Sequence, residues 1–447
     1  MRTAHRRKRT GGRRWTSLAA SLALMTLTAG CSDILDVDLP GRVSDSDLEN
    51  ATLAQILVDG VIGDLECAWN NYNGASSHHS DEYLPTSGNL NLRNWGARKI
   101  TDADVVMGQG ECDNVWGIYT PLHTARFQAE DVFSRLEAFD VADVPDKVNM
   151  QGIVRAYGAY ALVALGEGWC SMALDGGPVI TPAEALQVAE SRFTDAIDMT
   201  TQADIGSMAR VGRARVRLDL GNFTGAIDDA SLVPAGFLFE IDRGLEEGRR
   251  RNGPAVVLNA DGIGFFMDGT IPGNYHNLTV DAQGLHTQNS GTIDPRLIIS
   301  TTGTLAGDQS TIHYFHDKWS ARDDPLPLAT YKEAQLIVAE AAARSNDLPT
   351  ARTIINDRHN LAGLPPFDVG ATATQDEMIA HVISERRREL AFEAGHRLND
   401  MLRFRGTQFE IPFLGDPGSF HPNGLDQNGD TYGTTTCFPL PVVETGG

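Results

Sequence analysis

The densest run of chemically capable side chains lies at 385–397. It holds Glu385, Arg386, Arg387, Arg388, Glu389, Glu393, His396 and Arg397. Carboxylates, guanidinium groups and an imidazole in one stretch could move a proton or grip an anion. Their spacing favours another use. Glu385 and Arg388 stand at i,i+3, Glu393 and Arg397 at i,i+4, and Asp400 and Arg403 at i,i+3. On a helix such pairs face each other and brace the helix and its neighbours. Two other runs invite a metal reading. His78-His79-Ser80-Asp81 places two imidazoles side by side, where they rarely converge on one ion. Asp426-Gln-Asn-Gly-Asp430 resembles the start of a calcium loop. An EF-hand counted from Asp426 needs Gly and Glu where Thr431 and Cys437 stand, so a turn is expected instead. G-x-S-x-G, H-E-x-x-H and a phosphate-binding glycine loop are missing from the sequence. No catalytic residue, metal or cofactor is expected.

Aromatic residues among amides are the better candidates for ligand contact. Sugar rings stack their CH faces on Trp or Tyr, and their hydroxyls bond to Asn, Asp and Arg. Trp95 lies among Asn91, Arg93 and Asn94, Trp69 and Tyr72 flank Asn70-Asn71, and Trp319 precedes a helical pattern. These four are the candidate ligand residues. Trp116 and Trp169 fall in helical patterns and are assigned to the core.

The N-terminus runs from basic through apolar to small residues and ends at Cys31. The order is that of an export signal. Its apolar stretch is shorter than the roughly 20 residues a spanning helix needs. A Cys directly after Thr28-Ala29-Gly30 resembles a bacterial lipoprotein signal, in which that Cys is lipidated and becomes the mature N-terminus. An ordinary signal-peptidase site is the alternative. Residues 1–30 are therefore read as a signal peptide and 31–447 as one domain. Membrane contact is expected through the lipid alone.

Seven of the 37 Lys and Arg residues precede Trp15, so from Cys31 onward 30 basic side chains face 59 acidic ones, a net charge of −29. Such a surface repels nucleic acid, which is excluded as a partner. Cys67, Cys112, Cys170 and Cys437 form an even set in an exported chain, which favours disulfides. Three pairings are open. No two of these cysteines are within four residues of each other, so zinc spacing is absent.

The elements that must position these residues read mainly as α. Apolar positions recur at helical spacing over 48–69, 115–138, 147–165 and 182–199. In 147–165, Ala and Gly line one side for close helix contact. The stretch 206–234 reads as helix, Gly221-Asn222 turn, helix and Pro234, the order of a tetratricopeptide repeat, and 330–356 repeats it around Asn346-Asp347. Residues 70–115 break the pattern with Asn, Gly and Ser, and are read as a long binding loop. Residues 235–325 form a loop-rich insert with short strand-like runs at 255–258, 264–266, 297–300 and 311–315. The expected fold is a set of tetratricopeptide-like helix pairs carrying binding loops near 70–115 and 235–325.

The run at 376–405 is similar to the C-terminal signature of the RagB/SusD family, an E-R-R-x-E-L-x-x-E-G-x-R core followed by D-x-x-R. Here it is Glu385-Arg386-Arg387-Arg388-Glu389-Leu390, Glu393, His396-Arg397, Asp400 and Arg403, with one extra Ala394 before Gly395. Other family-like pieces follow in order: the Cys31 signal, Ser80-Asp81-Glu82, the 206–234 repeat, Asp294-Pro295-Arg296, Lys318-Trp319 and the 330 helix. The resemblance implies a non-catalytic outer-membrane lipoprotein facing the cell exterior. It would bind an extracellular glycan or peptide and pass it to a TonB-dependent, SusC-like β-barrel transporter. A tetratricopeptide-type lipoprotein that binds other proteins is the alternative, and a secreted glycan-active hydrolase the further one.

Overall fold

The computed structural model describes residues 47–112, 117–258 and 267–444. Cys31, Trp116 and the strand-like run at 264–266 lie outside them. A short 3-10 turn, Asp47–Glu49, belongs to an N-terminal unit that ends at Asn50; the account below concerns the unit that begins at Ala51.

The helices of this unit are α1 (Ala54–His79), α2 (Leu90–Gly96), α3 (Val105–Gln109), α4 (Tyr119–Ala138), α5 (Lys147–Gly168), α6 (Pro182–Met199), α7 (Ala203–Asp219), α8 (Phe223–Ala230), α9 (Gly253–Leu258), α10 (Tyr331–Arg344), α11 (Leu348–Leu361), α12 (Gln375–Glu389) and α13 (His396–Arg403). Local chemistry fixes several ends. Thr181 and Glu184 form a reciprocal capping box ahead of α6, with Pro182 in its first turn, and Thr374 and Glu377 do the same for α12. Between α7 and α8, Gly221 takes φ +78° and the Asn222 side chain accepts the Gly225 N–H. Asn346, at φ +63°, makes the corresponding turn between α10 and α11.

Each helix packs on the next in the order α1, α4, α5, α6, α7, α8, and α10 then joins α8 to α11 and α12. The helix pairs read from the repeats are therefore present. Their spacing rests on small residues. A Cβ on Gly158 would lie 2.5 Å from Ala129 Cβ, and one on Gly152 would lie 2.6 Å from the Thr200 backbone nitrogen. α13 closes the arrangement against α1 and α5. The strands are short antiparallel pieces: Leu238–Ile241 pairs with Leu326–Thr330, and Leu278–Val280 lies between His286–Gln288 and Thr292–Ile293.

The sequence expectations need three corrections. Residues 70–79 are not loop but the buried end of α1, and α2 and α3 lie in the stretch that follows. The polar side chains there hook onto neighbours. Asn70 accepts the Gly253 N–H and donates to the Arg251 carbonyl; Asn73 accepts the Ala394 N–H. The Val-rich run at 255–258 is helix α9, because Asn252 caps it and α1 buries it. The run at 376–405 is two helices joined by a turn, with Phe392, Ala394 and Gly395 all at positive φ. A Cβ on Gly395 would stand 2.6 Å from the Tyr72 hydroxyl oxygen, so the turn needs glycine for both its dihedral and its space.

Because that run turns, most of its charges pair across elements rather than along one helix. Arg397 grips Asp81 with two hydrogen bonds of 2.6 and 2.7 Å. Glu393 accepts from Lys318 at 2.8 Å and Lys332 at 2.6 Å. Glu340 of α10 receives Arg344, Arg386 and Arg403. Of the three pairs read from spacing, only Asp400–Arg403 forms, at 2.7 Å. Burial alone would raise the Glu340 carboxyl, but the arginines around it hold it well below its ordinary value. The four cysteines bond as Cys67–Cys112 and Cys170–Cys437. The second bond fastens the C-terminal segment to the end of α5, where Cys170 N–H donates to the Phe438 carbonyl at 2.9 Å.

Three tests follow from this packing. Gly152→Ala drives a methyl into backbone that cannot yield, and should cost about 1–3 kcal/mol in urea unfolding. Glu340→Gln leaves three guanidinium groups facing a neutral amide and should cost about 3–5 kcal/mol; an unchanged midpoint would mean that these ions reach water. Asp219 gives a pH signature. Burial, with Glu167 nearby, pushes its carboxyl up to about 8. Between about pH 4 and that value the folded state holds a proton the unfolded chain has lost, so stability falls as pH rises. Glu82 and Glu333, pushed up to about 7 by burial, add to the same slope. Asp219→Asn should remove up to about 1.4 kcal/mol per pH unit of that slope, read from urea midpoints between about pH 5 and about pH 8.

Candidate functional site

The four aromatics chosen from sequence are buried. Trp69, Tyr72 and Trp95 are fully enclosed, and Trp319 is 4% exposed. Three of them meet in one cluster. Tyr72 lies 6.1 Å from Trp69 and 6.2 Å from Trp169, Trp169 lies 4.9 Å from Phe438, and Phe438 lies 6.3 Å from Trp95. Polar neighbours in sequence suggested an open loop; in space those neighbours are helix-borne hooks, and the rings face inward. The placement corrects their reading as ligand-contact residues: these rings are core. Trp319 borders a groove of about 340 Å³ with Lys318, Lys332, Glu389 and Glu393. The groups there are engaged with each other, since Lys318 Nζ already donates to Glu393 and to the Glu389 and Ala391 carbonyls.

His78 and His79 are also interior. Burial lowers their imidazoles to about 3 and about 4, so both are neutral, and His79 Nδ1 lies 3.1 Å from the Trp95 carbonyl. The buried carboxylates of the 385–400 run are tied to cations: Glu385 to Arg296, Glu389 to Arg358, Glu393 to two lysines and Asp400 to Arg386 and Arg403. A general acid or base needs reach to a substrate proton; these oxygens are spent on structure.

Outward-facing groups suited to a polar ligand gather instead where three loops meet. The first, 84–93, pairs Leu84–Pro85 with Gly269–Thr270 and enters α2 through Asn89, which accepts the Asn91 N–H. The second, 304–312, is closed by the Leu305–Ile312 bridge. Inside it Asp308 accepts from the Ser310 N–H and from both the N–H and hydroxyl of Thr311. The third, 420–432, turns at Gly429 (φ +86°), with Asp426 accepting the Asn428 and Asp430 N–H groups. The Asp426–Asp430 run is thus the turn read from sequence.

Hydrogen bonds zip the loops together. Arg93 meets Asp430 at 2.5 Å, Asn428 donates to Asp308 at 2.9 Å, and Ser310 donates to Asn428 at 2.5 Å. Partial burial pushes the Asp308 carboxyl up, but the donors from Thr311, Asn428 and Ser310 prevail and hold it at about 2. On these three loops Leu90, Leu305, Ile312, Leu425 and Phe420 stay exposed, Phe420 by 40%. His421 lies beside Phe420 and shares a 2.7 Å hydrogen bond with the Tyr432 hydroxyl. Apolar CH surface beside fixed amides, a guanidinium and carboxylates can hold a flat, hydroxylated ligand. Two of these loops fall within the stretches 70–115 and 235–325 that the sequence reading named as binding loops. That reading missed 420–432, although Phe420, His421 and Tyr432 stand among Asn and Asp there as the aromatics do at 69–95.

Residues 309–434 match the family model described as the SusD family. No curated protein matches the chain. Among solved structures, a SusD homolog from Bacteroides thetaiotaomicron is 14% identical, with a TM-score of 0.64 over 90% of this chain and 97% of its own. A SusD-like carbohydrate binding protein from Bacteroides vulgatus is 15% identical, with a TM-score of 0.61 over 79% of this chain and 83% of its own. A laminarin binding SusD-like protein is 14% identical, with a TM-score of 0.59 over 88% of this chain and 97% of its own. At such identities the structural likeness is one of fold. The match at 309–434 holds the 385–403 run, so over this C-terminal part the chain is similar to the SusD family, and its fold is that of SusD-like proteins.

Proposed function

We propose that this protein is a non-catalytic, lipid-anchored surface protein that captures an extracellular glycan and delivers it to a TonB-dependent β-barrel transporter. The observation that carries the reading is the three-loop face, where exposed apolar side chains border fixed amides and charges. Similarity to the SusD family over 309–434, and a fold shared with carbohydrate binding SusD-like proteins, support the ligand class. The pairing of the buried carboxylates supports binding without hydrolysis. A glycosidase needs two carboxyl groups flanking the scissile bond, about 5–10 Å apart; those of the signature run are held by arginines and lysines inside the fold. The lipid anchor rests on the Cys31 signal, and the outward-facing position on the outer membrane and the transporter partner rest on the family resemblance.

Laminarin, starch, xylan and a peptide library offered to the Cys31→Ala protein would test the ligand. Retention of at least one polysaccharide is expected. Arg93→Ala and Phe420→Ala should each weaken it about tenfold or more, a loss of about 1.4 kcal/mol, with little change in the thermal midpoint. Retention of peptides alone would sink the glycan reading, and unaltered affinity in both variants would move the site elsewhere. Recovery of a large β-barrel with the lipidated protein from membranes would test the partner.

A further inference from the structure

Three imidazoles and a carboxylate converge outside the loop face. His286 comes from the strand His286–Gln288, His359 from α11, and His381 and Glu385 from successive turns of α12. One donor atom from each lies within 4.8 Å of all the others. Three of the four residues are buried and His286 is nearly so. His286 Nε2 and His359 Nε2 stand 2.7 and 2.5 Å from Glu385 Oε1, and His381 Nε2 stands 3.5 Å from the same oxygen.

The surroundings fix these rings as outer partners fix metal ligands. His359 Nδ1 lies 2.6 Å from the Pro365 carbonyl, which can only accept, so that nitrogen carries a hydrogen and Nε2 is turned inward. His286 Nδ1 lies 2.7 Å from the Ser384 hydroxyl, which turns its Nε2 inward too. Arg296 holds the second oxygen of Glu385, leaving Oε1 for the cluster. Phe367 stacks on His381 at 3.8 Å and positions its ring. Both ring nitrogens of His359 face oxygen acceptors. Either a proton lies between Nε2 and the Glu385 oxygen, or a cation takes the Nε2 lone pair.

We propose that His286, His359, His381 and Glu385 bind one first-row divalent cation, with zinc the best match. Neutral imidazole with one carboxylate suits zinc's nitrogen and oxygen ligation at about 2.0–2.2 Å. A tetrahedral ion at that bond length sets its donors about 3.3–3.6 Å apart. Closure therefore needs Glu385 Oε1 to withdraw by about an ångström, along the carboxylate that Arg296 already holds. All four positions are taken by protein, so the role is structural: the ion clasps the small sheet to α11 and α12. Neighbouring Asp294 and Glu389 are paired with Arg296, Arg388 and Arg358, and Glu385 shares Arg296 through its other oxygen, so Oε1 is the carboxylate oxygen that would face the ion. The rival occupant is a proton between His359 Nε2 and Glu385 Oε1, which closes the cluster as a hydrogen-bonded network.

The test uses the Cys31→Ala chain, stripped by a chelator and titrated with Zn²⁺ against a chromophoric competitor. One ion per chain is expected, with Co²⁺ giving the visible absorption of a tetrahedral site. Zn²⁺ should raise the thermal midpoint where Ca²⁺ does not. Ser384→Ala, which touches only the outer partner of His286, should weaken binding about tenfold, and His381→Gln should weaken it further. No uptake by the folded, stripped protein at micromolar Zn²⁺ overturns the proposal in favour of the proton. So does uptake that neither substitution alters, since the ion would then sit on other histidines.

Discussion

An ion inside a protein must be paired. Taking a carboxylate or guanidinium out of water costs several kcal/mol even after relaxation, and an unpaired one is not tolerated. The 385–403 segment commits this fold to that constraint by carrying Glu385, Arg386, Arg388, Glu389, Glu393, Arg397 and Asp400 into the interior. Asp400 is met by Arg386 and Arg403 of the same segment, and the others are buried only because counter-ions arrive from elsewhere: Asp81 beyond α1, Asp294 and Arg296 beside the small sheet, Lys318 before the Leu326–Thr330 strand, Lys332 and Glu340 on α10, and Arg358 on α11. Apolar contact tolerates small changes of register more readily than a bidentate grip such as that of Arg397 on Asp81. The network therefore sets which surfaces may meet, while the apolar core supplies the bulk of the driving force.

That constraint explains the order of motifs along the chain. Ser80-Asp81-Glu82, Asp294-Pro295-Arg296 and Lys318 are distant in sequence from the 385–403 run and from one another. In space they are its partners. Asp81 binds Arg397, Glu82 accepts the Phe392 N–H at 2.6 Å, Asp294 and Arg296 meet Arg388 and Glu385, and Lys318 meets Glu393. A set of short motifs that had looked like separate family marks is one buried assembly seen in pieces.

The helices were legible because their signals are local. Thr181-Pro182 with Glu184, and the Gly221-Asn222 turn, act within a few residues of themselves. The run from Asn70 to His79 was not, because its polar side chains satisfy partners far away in sequence. Asn73 reaches Ala394 and Asn70 reaches Gly253, and nothing near either residue announces that partner. Trp69, Tyr72 and Trp95 were misjudged for the same reason: amide neighbours look like solvent until their hydrogen bonds are known. The histidine cluster lay further out of reach. Only His381 and Glu385, at i,i+4, share a local pattern, and His286 and His359 join them through the tertiary fold.

The division between scaffold and loops bears on how the molecule can bind. A loop that must be ordered by its ligand loses conformational entropy on binding, about 0.5–1.5 kcal/mol for each side chain immobilised. Here the ordering is done beforehand. Asp308 is saturated by its own loop and by Asn428, Arg93 is held by Asp430, and the Asp426 turn closes on itself. The Cys170–Cys437 bond and the Trp169–Phe438 contact secure the chain that follows the third loop. A face prepared in this way suits a weakly held, many-hydroxyl ligand, because little of each modest contact is lost to ordering the protein. The same rigidity limits adaptation. Under the proposed function, selectivity among glycans would fall to the spacing of Arg93 and Phe420 rather than to loop movement.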